Sequence, residues 1–232
     1  KLRRDLTDPL LHSTNSNPSH KLIHDYLLTA MAGALAEWRE RSSITIDLER
    51  HGRNMEVNLG LDLDVSRTVG WFTSLYPVNF DLQHQGSVSE QLNCVTNRLV
   101  EVPNDGITYG ILRYLGQREE LAVPAIFAFN YLGQIDQLGD AGGFHLVEAP
   151  GRRIATENSP SHEILVNCWS LSGELHFEWI YSKAVVKPVE VSQLIQNMID
   201  RLTALLSVVS PDHDGSEQAF GLASLNDVEL RD

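Results

Sequence analysis

Three short stretches of this 232-residue chain bring together side chains able to do chemistry. Residues 49–53 (ERHGR) set a carboxylate, Glu49, at the end of a β-branched run, with His51, Gly52 and Arg53 following in a polar turn. A strand end fixes the backbone while the turn after it exposes side chains, so such a position favours a site. A carboxylate held there among cations and partly out of water can be tuned as a general base. Taken alone, the same residues also read as a surface Glu–Arg cluster. Residues 129–136 (FNYLGQID) place Asn130 at the end of an apolar run. A buried amide must be hydrogen-bonded, so Asn130 either clamps a loop or faces a ligand. Residues 67–78 (RTVGWFTSLYPV) crowd a cation, hydroxyls, a glycine, a Trp-Phe pair and a Tyr-Pro corner into one short segment.

Other catalytic patterns are missing. There is no GxSxG, no Walker loop and no HExxH. His20 and His24 stand four apart on a helical stretch, but no third ligand is near in sequence, so a solvated face is expected and no metal site. Residues 139–143 are glycine-rich but precede a strand rather than a helix, which argues against a phosphate cradle. Cys94 and Cys168 follow no zinc spacing and read as two buried thiols of a reducing cytoplasm. A formal charge of −13 argues against a general nucleic-acid or anionic-membrane binder, because both need a cationic surface. No apolar run approaches a membrane span, and the start, KLRRDLTDPLLHS, has no signal-peptide core. With no initiator Met, it reads as the middle of a longer chain.

The elements that must position these groups follow from periodicity. Apolar residues at helical spacing predict a long helix over 19–41, from Leu22 to Trp38. Residues 44–49 alternate as a strand, 55–64 form another extended piece, and 77–82 a further strand. A helix is predicted over 87–102 with Pro103 as its stop, and a shorter one over 109–121. Residues 125–132 read as a buried central strand and 144–147 as a short one after a turn at 140–143. Residues 162–171 and 174–181 alternate around Ser172-Gly173 and predict a hairpin, with Leu175, Phe177, Trp179 and Tyr181 on one face. An amphipathic helix over 189–209 precedes an acidic tail that holds a short apolar stretch at 220–225. The order predicts an α+β fold, a two-layer sandwich of helices on one face of a mixed sheet.

In order, five segments resemble the C-terminal half of an epimerization domain from a nonribosomal peptide synthetase. Residues 25–30 (DYLLTA) resemble the family's DxLLxA helix, 49–54 (ERHGRN) its EGHGRE, and 67–78 its RTVGWFTxxYPV. Residues 103–110 (PNDGITYG) resemble PxxGxGYG, and 129–136 resemble FNYLGQFD. Arg50, Asn54 and Thr108 depart from these patterns, the first two as changes of charge beside Glu49 and the third as a residue without glycine's freedom. The family's HHxxxDG segment is absent, and the chain has no His-His pair.

The resemblance implies one chloramphenicol-acetyltransferase-like lobe of a two-lobed domain. Residues 1–18 would be the interlobe connection, 19–210 the lobe and 211–232 the tail. It implies inversion of the Cα of an aminoacyl or peptidyl thioester carried on the phosphopantetheine arm of a carrier protein, with no dissociable cofactor. Glu49 would be one acid/base group, and the second would lie in an N-terminal lobe, so the chain by itself would be inactive. His51 and Arg53 would hold and tune Glu49, Asn130 and Tyr131 line a tunnel or orient the thioester, and Arg67 and Trp71 shape its wall. Expected partners are the carrier domain, the N-terminal lobe and a downstream synthetase subunit. Two other readings stand beside this one: a condensation lobe forming peptide bonds, and a non-catalytic docking module.

Overall fold

Five strands, β1 (Ser43–Arg50), β2 (Ser74–Asp81), β3 (Phe127–Gln134), β4 (Ile164–Leu171) and β5 (Glu174–Tyr181), form one mixed sheet in the order β2-β1-β3-β4-β5. The central pairs β1–β3 and β3–β4 are parallel, and the two outer pairs are antiparallel. The structure is a computed structural model that describes residues 1, 2, 4, 6–8, 10, 23–53, 60, 64–82, 86–135 and 161–209. The predicted extended piece at 55–64 lies almost wholly outside these residues. The turn at 140–143, the strand at 144–147 and the tail from 210 lie outside them entirely.

Period-2 alternation gives the sheet its two faces. Ile44, Ile46 and Leu48 of β1 are buried, as are Tyr76, Val78 and Phe80 of β2, Phe127 and Phe129 of β3, and Ile164, Val166 and Cys168 of β4. All join one core with helix α1 (Ile23–Trp38) and helix α4 (Pro188–Val209). Each fully buried aromatic or aliphatic side chain there contributes roughly 1.5–3 kcal/mol. Every residue of α1 from Ile23 to Ala36 is buried, so this helix is the centre of the helical layer. His24 is therefore buried against the Phe129 ring rather than on a solvated face.

Helix α2 (Val88–Val100) starts where its sequence says it should. Ser87 Oγ accepts from the Glu90 N–H, and the Glu90 carboxylate accepts from the Ser87 N–H, a reciprocal cap. The hairpin turn uses Ser172 and Gly173, both at positive φ, which matches the twist of the flanking strands.

Three expectations need correction. The helix predicted over 109–121 is broken: α3 (Ile107–Gly110) runs into a π-helical turn (Ile111–Leu115), and a separate 3₁₀ turn covers Glu119–Leu121. Among the described residues of the segment before α1, three do not lie outside the lobe. Leu2, Leu6 and Leu10 are buried in its core, and the Leu2 N–H donates to the Leu175 carbonyl at the edge strand. Only one of the cysteines is a buried thiol: Cys168 is, whereas Cys94 is half-buried.

Candidate active site

The sheet face away from the helices carries polar side chains at alternate positions. Thr45, Asp47 and Glu49 share this face of β1 because Ile44, Ile46 and Leu48 point into the core. Asn130 of β3 lies on the same face, between core residue Phe129 and Tyr131, and its Nδ2 donates to Glu49 Oε2 at 2.8 Å. Next across the sheet, Asn130 is paired in register with Asn167, and Asn167 with Glu178. Asn167 Nδ2 donates to Glu178 Oε2 at 3.0 Å. The four strands β1, β3, β4 and β5 thus present the row Glu49, Asn130, Asn167, Glu178, with each carboxylate held by a neighbouring amide.

Glu49 is half-buried. Burial holds its carboxyl above the usual carboxylate range, and the nearby charge of His162 opposes that rise. A raised pKa makes a carboxylate a stronger proton acceptor than an ordinary one. A second hydrogen-bonded chain lies beside it: His162 Nε2 is 2.8 Å from Asp47 Oδ2, and His162 Nδ1 is 2.9 Å from Ser161 Oγ.

The turn after β1 has a different role from the one its sequence suggests. Arg53 donates from Nη1 to the carbonyls of Val65 at 2.6 Å and Thr68 at 2.8 Å, and from Nη2 to that of Gly70 at 3.2 Å. Its guanidinium also lies 4.5 Å from the centre of the Phe72 ring. Arg53 therefore ties down the loop that leads into β2. His51 is exposed, and its Nδ1 accepts from the Arg53 backbone N–H at 3.1 Å. The contacts of His51 and Arg53 lie within the turn and with the loop before β2 rather than with Glu49. Gly52 has φ +58°, and a Cβ there would sit 1.8 Å from the Phe72 carbonyl oxygen, so both backbone and space demand glycine.

Arg50, the residue after Glu49, turns to the opposite face and hydrogen-bonds the Tyr76 hydroxyl, so its charge is not presented beside Glu49. Tyr131, the residue after Asn130, likewise turns away and packs against the core. Burial pushes its phenol up to about 12, with Cys168 adding to the rise. Arg67 is exposed and Trp71 is 88% exposed, so the described structure does not gather either around Glu49. Thr108 lies in helical backbone; the positive φ values of that turn belong to Asn104, Asp105 and Gly106. Asn54 lies outside the described residues.

The structure thus brings together Glu49 and Asn130 from the sequence-derived set and adds Asp47 and His162, which sequence reasoning missed. Asp47 was marked only by its i, i+2 spacing from Glu49. His162 carried no local signal. Among the described residues, no three His, Cys, Asp or Glu side chains cluster as metal donors.

The family described as Condensation domain matches residues 7–217. The chain is 33% identical over 245 residues to bacitracin synthase 3 of Bacillus licheniformis, covering 100% of this chain and 4% of that protein. It is 31% identical over 244 residues to gramicidin S synthase 1 of Brevibacillus brevis, covering 97% of this chain and 22% of that one. Among solved structures, the epimerization domain from the third module of tyrocidine synthetase B superposes with a TM-score of 0.77 at 28% identity. That match covers 90% of this chain and 47% of that one. A condensation domain of the enacyloxin polyketide synthase shares the fold, with a TM-score of 0.60 at 11% identity, over 94% of this chain and 42% of that one. The chain spans a small part of the length of its synthase relatives and about half of the solved epimerization domain.

Proposed function

The chain belongs to the condensation-domain family of nonribosomal peptide synthetases, and from that premise we propose that it is the Glu49-bearing lobe of an epimerization domain. Its mixed five-stranded sheet with helices on one face is a chloramphenicol-acetyltransferase-like lobe of that superfamily. Domains of this family are catalytic and work with carrier domains inside multidomain synthetases. No helix among the described residues is long and apolar enough to cross a membrane.

The observation that carries the reading is the Glu49–Asn130 pair, a half-buried carboxylate with a raised pKa fixed by an amide on the open face of the sheet. A carrier-bound aminoacyl thioester has an acidified Cα–H. Glu49 takes that proton, the electron pair moves onto the thioester oxygen as an enolate, and return of a proton to the other face inverts the centre. Inversion therefore needs a second acid/base group on the opposite side of the substrate, and that group belongs to another lobe facing this sheet. Asn130 keeps the carboxylate oriented toward the reacting carbon. The phosphopantetheine arm is part of the substrate and comes with the carrier.

The test is Glu49→Gln in the complete domain, with a loaded carrier and chirality of the released amino acid as readout. Loss of inversion in a folded variant is expected; full inversion overturns the assignment. The second reading, peptide-bond formation, is favoured by the shared fold with condensation domains. It predicts dipeptidyl product when a donor carrier and an acceptor carrier are both supplied.

A further inference from the structure

The open face holds a hydrogen-bonded group that the Glu49–Asn130 pair does not use. Both ring nitrogens of His162 are engaged, by Asp47 at 2.8 Å and Ser161 at 2.9 Å, and its side chain is only 7% exposed. The backbone beneath it is also fixed. The Glu163 N–H donates to the Ile126 carbonyl at 2.8 Å, and the Glu163 carboxylate pairs with Arg39. In the strand register Asp47 is followed by Ala128 and then Leu165. His162, just before β4, reaches past the β3 position between them to Asp47 on β1.

Asp47 stands two residues before Glu49 on one face of one strand. Two carboxylates so placed repel, and an unpaired Asp47 would favour the protonated form of Glu49. The imidazole that bridges to Asp47 opposes this, and its charge acts on Glu49 in the same sense. Among the described residues, the other titratable groups near this part of the sheet are Tyr109 of α3, whose phenol is raised by burial with Tyr114 and Asp47 contributing, Arg113, whose charge opposes that rise and which pairs with Glu119, and Glu178 of β5, which is held by Asn167. Arg50 is turned to the helices, and Arg53 is tied to the loop before β2.

Resting on the reading of Glu49 as an acid/base group, we propose that His162, locked over β3 between Asp47 and Ser161, is a positioning residue that screens Glu49 from the Asp47 carboxylate. Acting through Asp47 rather than on substrate, it keeps Glu49 able to accept a proton at working pH.

The experiment uses the intact synthetase module loaded with an aminoacyl thioester. It follows exchange of the Cα hydrogen with solvent deuterium as a function of pH in His162→Gln, Asp47→Asn and the double variant. His162→Gln is expected to move the acid limb of the rate up by about one pH unit, with a roughly tenfold loss of rate below the limb and an unchanged KM for the carrier. Adding Asp47→Asn removes the exposed anion and returns the limb toward the wild-type position. A wild-type profile in His162→Gln overturns the proposal, and so does a lower rate whose limb is unmoved or is not rescued by Asp47→Asn. Should His162→Gln not fold, Asp47→Asn alone decides: the limb moves down in pH, or the proposal is wrong. Glu49→Gln run in parallel separates the two ideas. Full exchange there removes the reading of Glu49 itself, whereas an inactive Glu49→Gln beside an unmoved His162→Gln profile removes only the role of His162.

Discussion

Asn130 on β3 donates its side-chain N–H to Oε2 of Glu49 on β1 at 2.8 Å, joining two residues 81 positions apart in sequence. The bond spans adjacent parallel strands, and it fixes a carboxylate that burial already holds above its ordinary range. Removing the amide leaves Glu49 free to rotate. Asn130→Ala in the complete domain is expected to lower kcat about tenfold or more with little change in KM for the carrier-bound substrate. Steady-state kinetics with a loaded carrier check this.

The raised pKa of Glu49 also bears on stability. The folded chain binds the Glu49 proton more tightly than the unfolded chain, so this group favours the fold most below its unfolded pKa. That contribution is lost as pH rises through the folded value. A neutral amide escapes the loss. Glu49→Gln is therefore expected to raise Tm at about pH 7 and to give no gain at about pH 3. Thermal melts of both forms at the two pH values measure it.

Gly52 has no alternative residue. Its φ of +58° and the 1.8 Å approach of a would-be Cβ to the Phe72 carbonyl add backbone strain to a steric clash. Gly52→Ala is expected to cost about 2–4 kcal/mol, read as a fall in the denaturant midpoint.

Arg53 and Glu49 are close in sequence but act in different places. Arg53→Lys replaces a planar fork that reaches three carbonyls from two separate nitrogens, and stacks on Phe72, with a single compact ammonium, so it loosens the loop at 65–70. Faster amide hydrogen exchange across that loop is expected, with the acid limb of the rate profile unmoved. A shifted limb would mean that Arg53 acts on Glu49 after all.

Trp71 and Tyr131 give two contrasting expectations. Trp71 is 88% exposed, so Trp71→Ser changes stability by less than about 0.5 kcal/mol in a denaturant titration. Tyr131 faces the core, and its phenol, at about 12, stays protonated at neutral pH. Tyr131→Phe should keep the wild-type pH profile for inversion.

Much of the scaffold could be read from local pattern. The β-branched alternation before Glu49, the Ser-Gly turn of the hairpin and the helix that starts after Ser87 each depend on a few neighbouring residues, and each appears where periodicity and propensity put it. The segment after Pro103 did not follow its pattern. The helix predicted over 109–121 is divided by a π-helical turn at Ile111–Leu115 and by the positive φ of Gln117. Alternation also decides which neighbours share a face. It separates Arg50 from Glu49 and Tyr131 from Asn130, although each pair is adjacent in sequence.

The sequence by itself determined the α+β class, the family resemblance and the presence of a carboxylate at a strand end, because strand period, turn chemistry and motif order are local properties. Only the tertiary structure decided what surrounds that carboxylate. Sheet order places β3 beside β1 and β4 next beyond it, so Asn130 and the His162 that precedes β4 arrive from 81 and 113 residues away, while His51 and Arg53 in the adjoining turn are directed elsewhere. Electrostatic environment depends on distance in space and on burial, and neither is encoded in the spacing of residues along one segment.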